Sequence, residues 1–269
     1  MAIHTLKDGT ELFYQIDDFS DPWNPADEPA IFLHGLAESG DAWRAWVPHF
    51  ARRYKVLRPD QRGFGRSSAT VENFVWSIDV PVDDLKALTS ALGIERFHLV
   101  SAKFGGTVAM RFAAKYPDSV KSLSIVSAPP SLKNSLGSKI PGWIEQVKQH
   151  GVRDWAESTM AGRLGSQAPA SMLTWWTDMM GHSAVSTMNS VLRNLAEIDV
   201  TQDLQNIQCP TLVITTTGSA LGAVSDIDAW RNLIPNSTLD TIDSDSYHIA
   251  ASQPDLCANK VFEFIRSVK

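Results

Sequence analysis

Residues 99–110 read LVSAKFGGTVAM. An apolar run over Phe97–Val100 stops there. A glycine pair follows at Gly105 and Gly106, and apolar residues then continue at helical spacing to Tyr116, just before Pro117. Periodicity predicts a strand over Phe97–Val100 and a helix over Gly105–Tyr116. A strand that ends abruptly and turns into a helix presents the residue at the apex of its turn. Here that residue is Lys103.

The same rhythm extends in both directions. Short apolar runs predict strands at Ile3–Leu6, Glu11–Gln15, AIFLHG (residues 30–35), Lys55–Arg58, VKSLSIV (120–126), PTLVITTT (210–217) and Thr238–Ile242. Helical spacing marks Ala42–Ala51, Val82–Leu92, Ile227–Leu233 and Leu256–Val268, with Gly93 as a stop signal after the second. SDPWNPADEP (20–29) and PDQRGFGRSS (59–68) read as loops. Strands alternating with helices predict a mostly parallel sheet covered on both faces, an α/β fold. The rhythm lapses between residues 131 and 204. Helices are expected there around Trp143–His150, Arg153–Arg163, Pro169–Gly181 and Val185–Ala196. The expected organisation is a core of residues 1–130 and 205–269, with a helical cap of residues 131–204 inserted between two strand ends.

The chain has 269 residues, 43% hydrophobic and 20% charged, with a formal charge of −6. That size buries a core without covalent staples. An acidic balance with no basic cluster argues against a nucleic-acid surface. Cys209 and Cys257 stand far apart and form neither a disulfide framework nor a metal pair, which suits a reducing cytoplasm. MAIHTLKDGT holds no long apolar run, so no signal peptide or membrane partner is expected. No His, Asp or Glu cluster has metal-ligand spacing, and no cofactor is expected.

FLHGLAESGDAW (32–43), RPDQRGFGRSS (58–68), HLVSAKFGGTVAMRFAAKYPDSVKSLSIVSAPP (98–130), CPTLVIT (209–215) and IDSDSYHIAASQPD (242–255) together resemble the α/β-hydrolase superfamily. They fall in that family's order, and the helical insertion matches its cap. The resemblance implies a nucleophile elbow, G-x-S-x-G in most members. Here it reads Ser101-Ala102-Lys103-Phe104-Gly105. Placing Ser101 at the apex would put Leu99 and Lys103 where small residues are needed, so Lys103 takes the nucleophile position. His248 matches the family's histidine and His34-Gly35 its oxyanion loop, which implies the N–H groups of Leu36 and Phe104 as oxyanion donors. The acid is missing: Gly218 and Ser219 stand about where it belongs, SAPPS (127–131) offers none, and Asp226 and Asp228 fall in the following helix.

The remaining candidates have plain structural alternatives. His34 can order its loop or touch substrate. Trp175, Trp176, Met179 and Met180 can line an apolar pocket or form the core of the cap. Asp60, Arg62 and Arg66 read as scaffold, and His4, His49, His98, His150 and His182 are given no role.

The exchanges at two positions have a common consequence. Without the acid, burial, the helix N-terminus and a protonated His248 all push Lys103 toward the neutral amine. A neutral amine can attack a ketone or abstract a proton. With an ester it would form a dead-end amide unless it activated water instead. Kept charged, Lys103 would grip an anion. The expected function is a cofactor-free enzyme, hydrolytic by resemblance, acting on a small carbonyl compound such as an ester, lactone or 1,3-dicarbonyl. Lys103 would be nucleophile or base, and His248 the proton shuttle. Lyase-type C–C cleavage or decarboxylation through Lys103 is one alternative, and a non-catalytic ligand binder on a hydrolase scaffold is another. An anionic substrate and assembly into a homo-oligomer both stay open.

Overall fold

The computed structural model describes residues 2–26, 28–133 and 137–268. Asp27 of the first predicted loop and residues 134–136 of the predicted insertion therefore lie outside the described residues. Strands β1 (Ala2–Thr5), β2 (Glu11–Asp17), β3 (Pro29–Leu33), β4 (Lys55–Pro59), β5 (Phe97–Ala102), β6 (Val120–Val126), β7 (Thr211–Thr216) and β8 (Ser237–Ile242) form one sheet. Its order is β1-β2-β4-β3-β5-β6-β7-β8. β1 and β2 run antiparallel, and every pairing from β4 to β8 is parallel.

The apolar runs in β3, β5, β6 and β7 have a direct cause. Parallel strands in the middle of a covered sheet are buried on both faces, and β5 is buried along its whole length. Side chains alternate between two cores, as the pleat requires. Ile31, Leu57, Leu99 and Leu123 face one core, which they share with α2 (Asp79–Ala91) and α3 (Phe104–Lys115). Phe32, Val56, Val100 and Val126 face the other, under α1 (Val47–Phe50) and the C-terminal α9 (Pro254–Ser267). There Phe32 meets Trp43, Trp46 and Phe50 edge-on at 5.3, 6.2 and 5.1 Å between ring centroids.

The continuous helix expected over Ala42–Ala51 is a correction. The chain forms a 3-10 turn at Gly40–Trp43 and then the short α1. Ser39 caps that turn, its Oγ accepting from Asp41 N at 3.3 Å. Pro48, near the start of α1, lacks the N–H that would continue a helix from upstream.

Between β6 and β7 come α4 (Ile140–Leu164), α5 (Ala170–Gly181) and α6 (Val185–Leu195). α4 breaks at Gly151, where φ is 83° and ψ 173°. The two helices read from the sequence thus lie on either side of that glycine, joined across a sharp kink. α7 (Val224–Arg231) follows β7, and α8 (Ile249–Ser252) precedes α9. Among the described residues, no helix is long and apolar enough to cross a membrane.

Candidate active site

The carboxyl ends of parallel strands gather functional loops on one rim of the sheet. Here β3 delivers His34–Glu38, β5 delivers Lys103, and the loop after β8 delivers Tyr247 and His248.

Lys103 sits at φ 56°, ψ −131°, a region costly for any side-chain-bearing residue, at about 1–3 kcal/mol. Its surroundings impose that conformation. The N–H of Lys103 donates to Val126 O at 3.2 Å, and its carbonyl accepts from Gly106 N at 2.9 Å. A Cβ at Gly105 would collide with the carbonyls of Leu33 and His34, and one at Gly106 with the Ala128 side chain. The two glycines let α3 press against the end of β3 and the loop after β6. The turn at Lys103 is what remains for the chain to follow.

The Lys103 side chain folds inward and is 7% exposed. Nζ donates to the Tyr247 carbonyl at 3.0 Å and lies 3.9 Å from the centroid of the Tyr247 ring. No carboxylate lies within 4.0 Å of it among the described residues. Burial drives its affinity for a proton well below the ordinary lysine range. Nearby Arg163 and Lys139 push the same way, while the Glu38 charge opposes them.

His248 is buried, and its Nε2 lies 2.9 Å from Glu38 Oε1. The other Glu38 oxygen accepts from Gly35 N at 2.8 Å. Burial disfavours charge on both groups. The charge that His248 can carry and its hydrogen bond, then the His34 charge and the Gly35 N–H, nevertheless lower the Glu38 carboxyl to about 2. Burial dominates for His248 and lowers its proton affinity, with the carboxylate opposing. The contact places Nε2 of the imidazole against a carboxylate that is ionised. His248 Nδ1 is buried and has no hydrogen-bond partner among the described residues. Gly218 and Ser219 bring no carboxylate to it. Asp226 and Asp228 sit on α7, where Asp228 binds Arg231.

A cavity opens above the elbow, lined by Leu36, Lys103, Phe104, Trp143, Arg163 and Tyr247 among others. The expected nucleophile position and both expected oxyanion residues thus share one cavity, and Phe104, the first residue of α3, has an N–H without an intrahelical acceptor. The other side chains expected at a pocket, His34, Trp175, Trp176 and Met179, are not among the lining residues of this cavity. His34 is fully buried behind the loop, its Nε2 accepting from Gln61 N at 2.9 Å and its Nδ1 2.8 Å from Gly35 O. Trp176 packs edge-on against His248 at 5.0 Å. Trp175 and Trp176 flank a separate outer groove with Arg44 and Met172. Met179 packs on the main core and Met180 lies within it. Arg62 grips Asp84 with two bonds of 2.7 and 2.8 Å, as scaffold does. Asp60 accepts from Gly40 N at 2.7 Å and Arg66 N at 2.8 Å.

Sequence reading missed Glu38, Tyr247 and Arg163. Glu38 had a local signal: a carboxylate three residues past Gly35 can turn back on that residue's N–H. Tyr247 acts through its backbone carbonyl, which no side-chain motif marks. Arg163 lies on a helix whose register alone decides whether it faces water.

A strained strand-to-helix elbow, a loop after β3 and a histidine after β8, all on one rim of a mostly parallel sheet, define a hydrolase-type enzyme. The chain belongs to the alpha/beta hydrolase fold family, whose model matches residues 29–253. It is 28% identical to the bifunctional esterase/perhydrolase of Acinetobacter calcoaceticus over 80% of each chain. It is 25% identical to a non-heme chloroperoxidase of Burkholderia pyrrocinia, covering 99% of this chain and 100% of the other. Among solved structures, the enol-lactonase from Burkholderia xenovorans LB400 superposes with a TM-score of 0.87 at 19% identity, over 99% of this chain and 100% of that one.

Proposed function

We propose that Lys103 is the reacting group of a cofactor-free hydrolase acting on a small carbonyl compound, an ester or lactone, with α4–α6 as the cap over its cavity. One observation carries this reading. The Lys103 amine is buried at the apex of the elbow, held by a carbonyl and a ring, with no carboxylate within 4.0 Å among the described residues.

The substrate carbonyl oxygen would rest on the N–H groups of Leu36 and Phe104, where two fixed donors favour the oxyanion. The neutral amine takes a proton from water as the water oxygen bonds to the carbonyl carbon. When the tetrahedral adduct collapses, the C–O bond to the leaving group breaks, and the Lys103 ammonium returns the proton to the departing oxygen. Hydrolysis by activated water avoids the amide that direct attack on an ester would leave. His248 has its Nε2 committed to Glu38. In this reading it is a positioning residue that anchors the Glu38 charge, not the proton carrier expected from the resemblance.

A second reading shares the amine. Nζ hydrogen-bonds to the Tyr247 carbonyl rather than to His248, so no serine-like relay is in place. An amine of that kind can condense with a ketone or 1,3-dicarbonyl to a Schiff base, releasing water, and labilise an adjacent C–C bond. The deciding experiment is a panel of small esters, lactones and 1,3-dicarbonyls assayed with the native chain and Lys103→Met, with and without borohydride. Turnover lost in Lys103→Met without a reduced adduct supports the hydrolytic reading. An adduct on the Lys103 peptide selects the Schiff-base route. Full turnover by Lys103→Met overturns both.

A further inference from the structure

We propose that the substrate of this cavity carries a carboxylate, and that Arg163 binds it. The proposal rests on the reading of the Lys103 cavity as the active site and adds the class of substrate it takes.

Arg163 lies in the last turn of α4, is 5% exposed, and lines the cavity. Its guanidinium carbon lies 4.9 Å from the Trp155 ring and 6.0 Å from the Tyr247 ring, and its Nε donates to Thr159 Oγ1 at 3.1 Å. A guanidinium has five N–H donors. The four on the terminal nitrogens of Arg163 have no acceptor among the described residues. They keep access to solvent through the cavity, so a ligand's acceptors would take the place of water there.

Other buried arginines of this chain end on acceptors within it. Arg62 ends on Asp84 at 2.7 and 2.8 Å and on Asp8 at 2.7 Å. Arg58 ends on Asp17 at 2.7 Å and on the Gly40 carbonyl at 2.8 Å. Arg163 has the same chemistry but no such acceptor among the described residues, which leaves its paired N–H groups free to take a ligand. Among the described residues the walls of the cavity include no Asp or Glu, while the Arg163 guanidinium and the Lys103 amine face it amid side chains such as Leu36, Phe104 and Trp143. A planar fork of paired N–H groups matches the two oxygens of a carboxylate. One guanidinium in an otherwise apolar enclosure suits a monoanion better than a phosphate dianion. The substrate class is therefore a small carbonyl compound with a carboxylate a few bonds from its reacting carbon. Arg163 fixes the carboxylate, and the carbonyl falls to Lys103.

Calorimetric titration with butyrate, butyramide, 1-butanol and inorganic phosphate tests this. The native chain is expected to bind butyrate at least ten-fold tighter than the two neutral analogues and phosphate. Arg163→Gln should lose that preference by ten-fold or more, Arg163→Lys should keep part of it, and Lys103→Met should bind butyrate while losing turnover. Equal binding of butyrate and butyramide by the native chain overturns the proposal, even if the variants fail to fold. So does a folded Arg163→Gln that binds butyrate as the native chain does. Preferential binding of phosphate also overturns it. These failures leave the role of Lys103 standing, because that role is read from turnover. Loss of turnover in Lys103→Met is equally silent about Arg163.

Discussion

Glu38 and His248, 210 positions apart in the chain, meet at 2.9 Å through Nε2 of the imidazole. In a Ser-His-Asp relay the acid binds Nδ1 and leaves Nε2 for the nucleophile. Here the carboxylate approaches from the oxyanion-loop side and occupies the nitrogen a serine would need, while Nδ1 has no partner among the described residues. In the proposed reading the histidine serves as an anchor rather than a relay.

That arrangement predicts that Lys103→Ser does not recover an ordinary esterase. The serine would meet an imidazole with Nε2 already engaged and no acid behind Nδ1. Hydrolysis of p-nitrophenyl acetate by Lys103→Ser should stay at the rate of Lys103→Met. A serine variant about 100-fold faster than Lys103→Met, the scale of a working general base, would show that the relay is intact.

Lys103 itself should govern the pH dependence of activity. An amine acting as base works in its neutral form, so kcat/KM should rise with pH through one titration lying below the ordinary lysine range. Lys103→Met should lower turnover by at least about 100-fold. A profile flat from pH 5 to pH 10 in the native chain is incompatible with this role.

The Glu38 charge favours the protonated form of Lys103. Removing that charge makes the lysine release its proton more readily. Glu38→Gln should therefore move the acid limb of the native profile to lower pH. It should also cost about 1–3 kcal/mol of stability, because a charge-assisted buried hydrogen bond is lost. An acid limb left in place, measured by kcat/KM against pH, would separate Glu38 from the lysine.

The same burial has a thermodynamic signature. Unfolded, Lys103 titrates in the ordinary lysine range; folded, it titrates lower. Between those two values the unfolded state binds more protons, so stability rises with pH there, by about 1.4 kcal/mol per pH unit for one proton. Below the folded value the penalty is complete. Lys103→Met removes it, so urea unfolding should show this variant gaining stability relative to the native chain as pH falls through that window. A difference independent of pH would mean that the lysine titrates alike in both states.

Gly105→Ala offers a test of the scaffold. The added methyl meets two backbone carbonyls, those of Leu33 and His34, which cannot rotate away as a side chain could. Overpacking of this kind costs about 1–3 kcal/mol, read as a lower urea midpoint at unchanged slope. A midpoint equal to the native one would show that α3 can lift off the end of β3.

The strands were legible because buried parallel strands write themselves as uninterrupted apolar runs, and VKSLSIV matches β6 to the residue. The elbow was legible because the backbone there demands small residues, and Gly105 and Gly106 supply them. The segment over Ala42–Ala51 misled for the opposite reason. Its tryptophans, alanines and valine fit a helical face, but Pro48 and the Ser39 cap divide it. Around the site, what was hidden were pairings between distant parts of the chain. Glu38 with His248 and Arg163 over Tyr247 depend on where β3, α4 and the loop after β8 come together. No local pattern records that meeting. The tryptophan and methionine side chains of α5 illustrate the converse, since an apolar stripe reads the same whether it faces a ligand or a core.

The left-handed turn at residue 103 is gripped from below, by the close seating of Gly105 and Gly106 and by the bond from Lys103 N to Val126 O. None of these contacts involves the lysine side chain. The elbow behaves like the chuck of a lathe, clamping the shank and indifferent to the bit. A new reactive group can be fitted at that point by a single codon change, in a position the fold has already aimed.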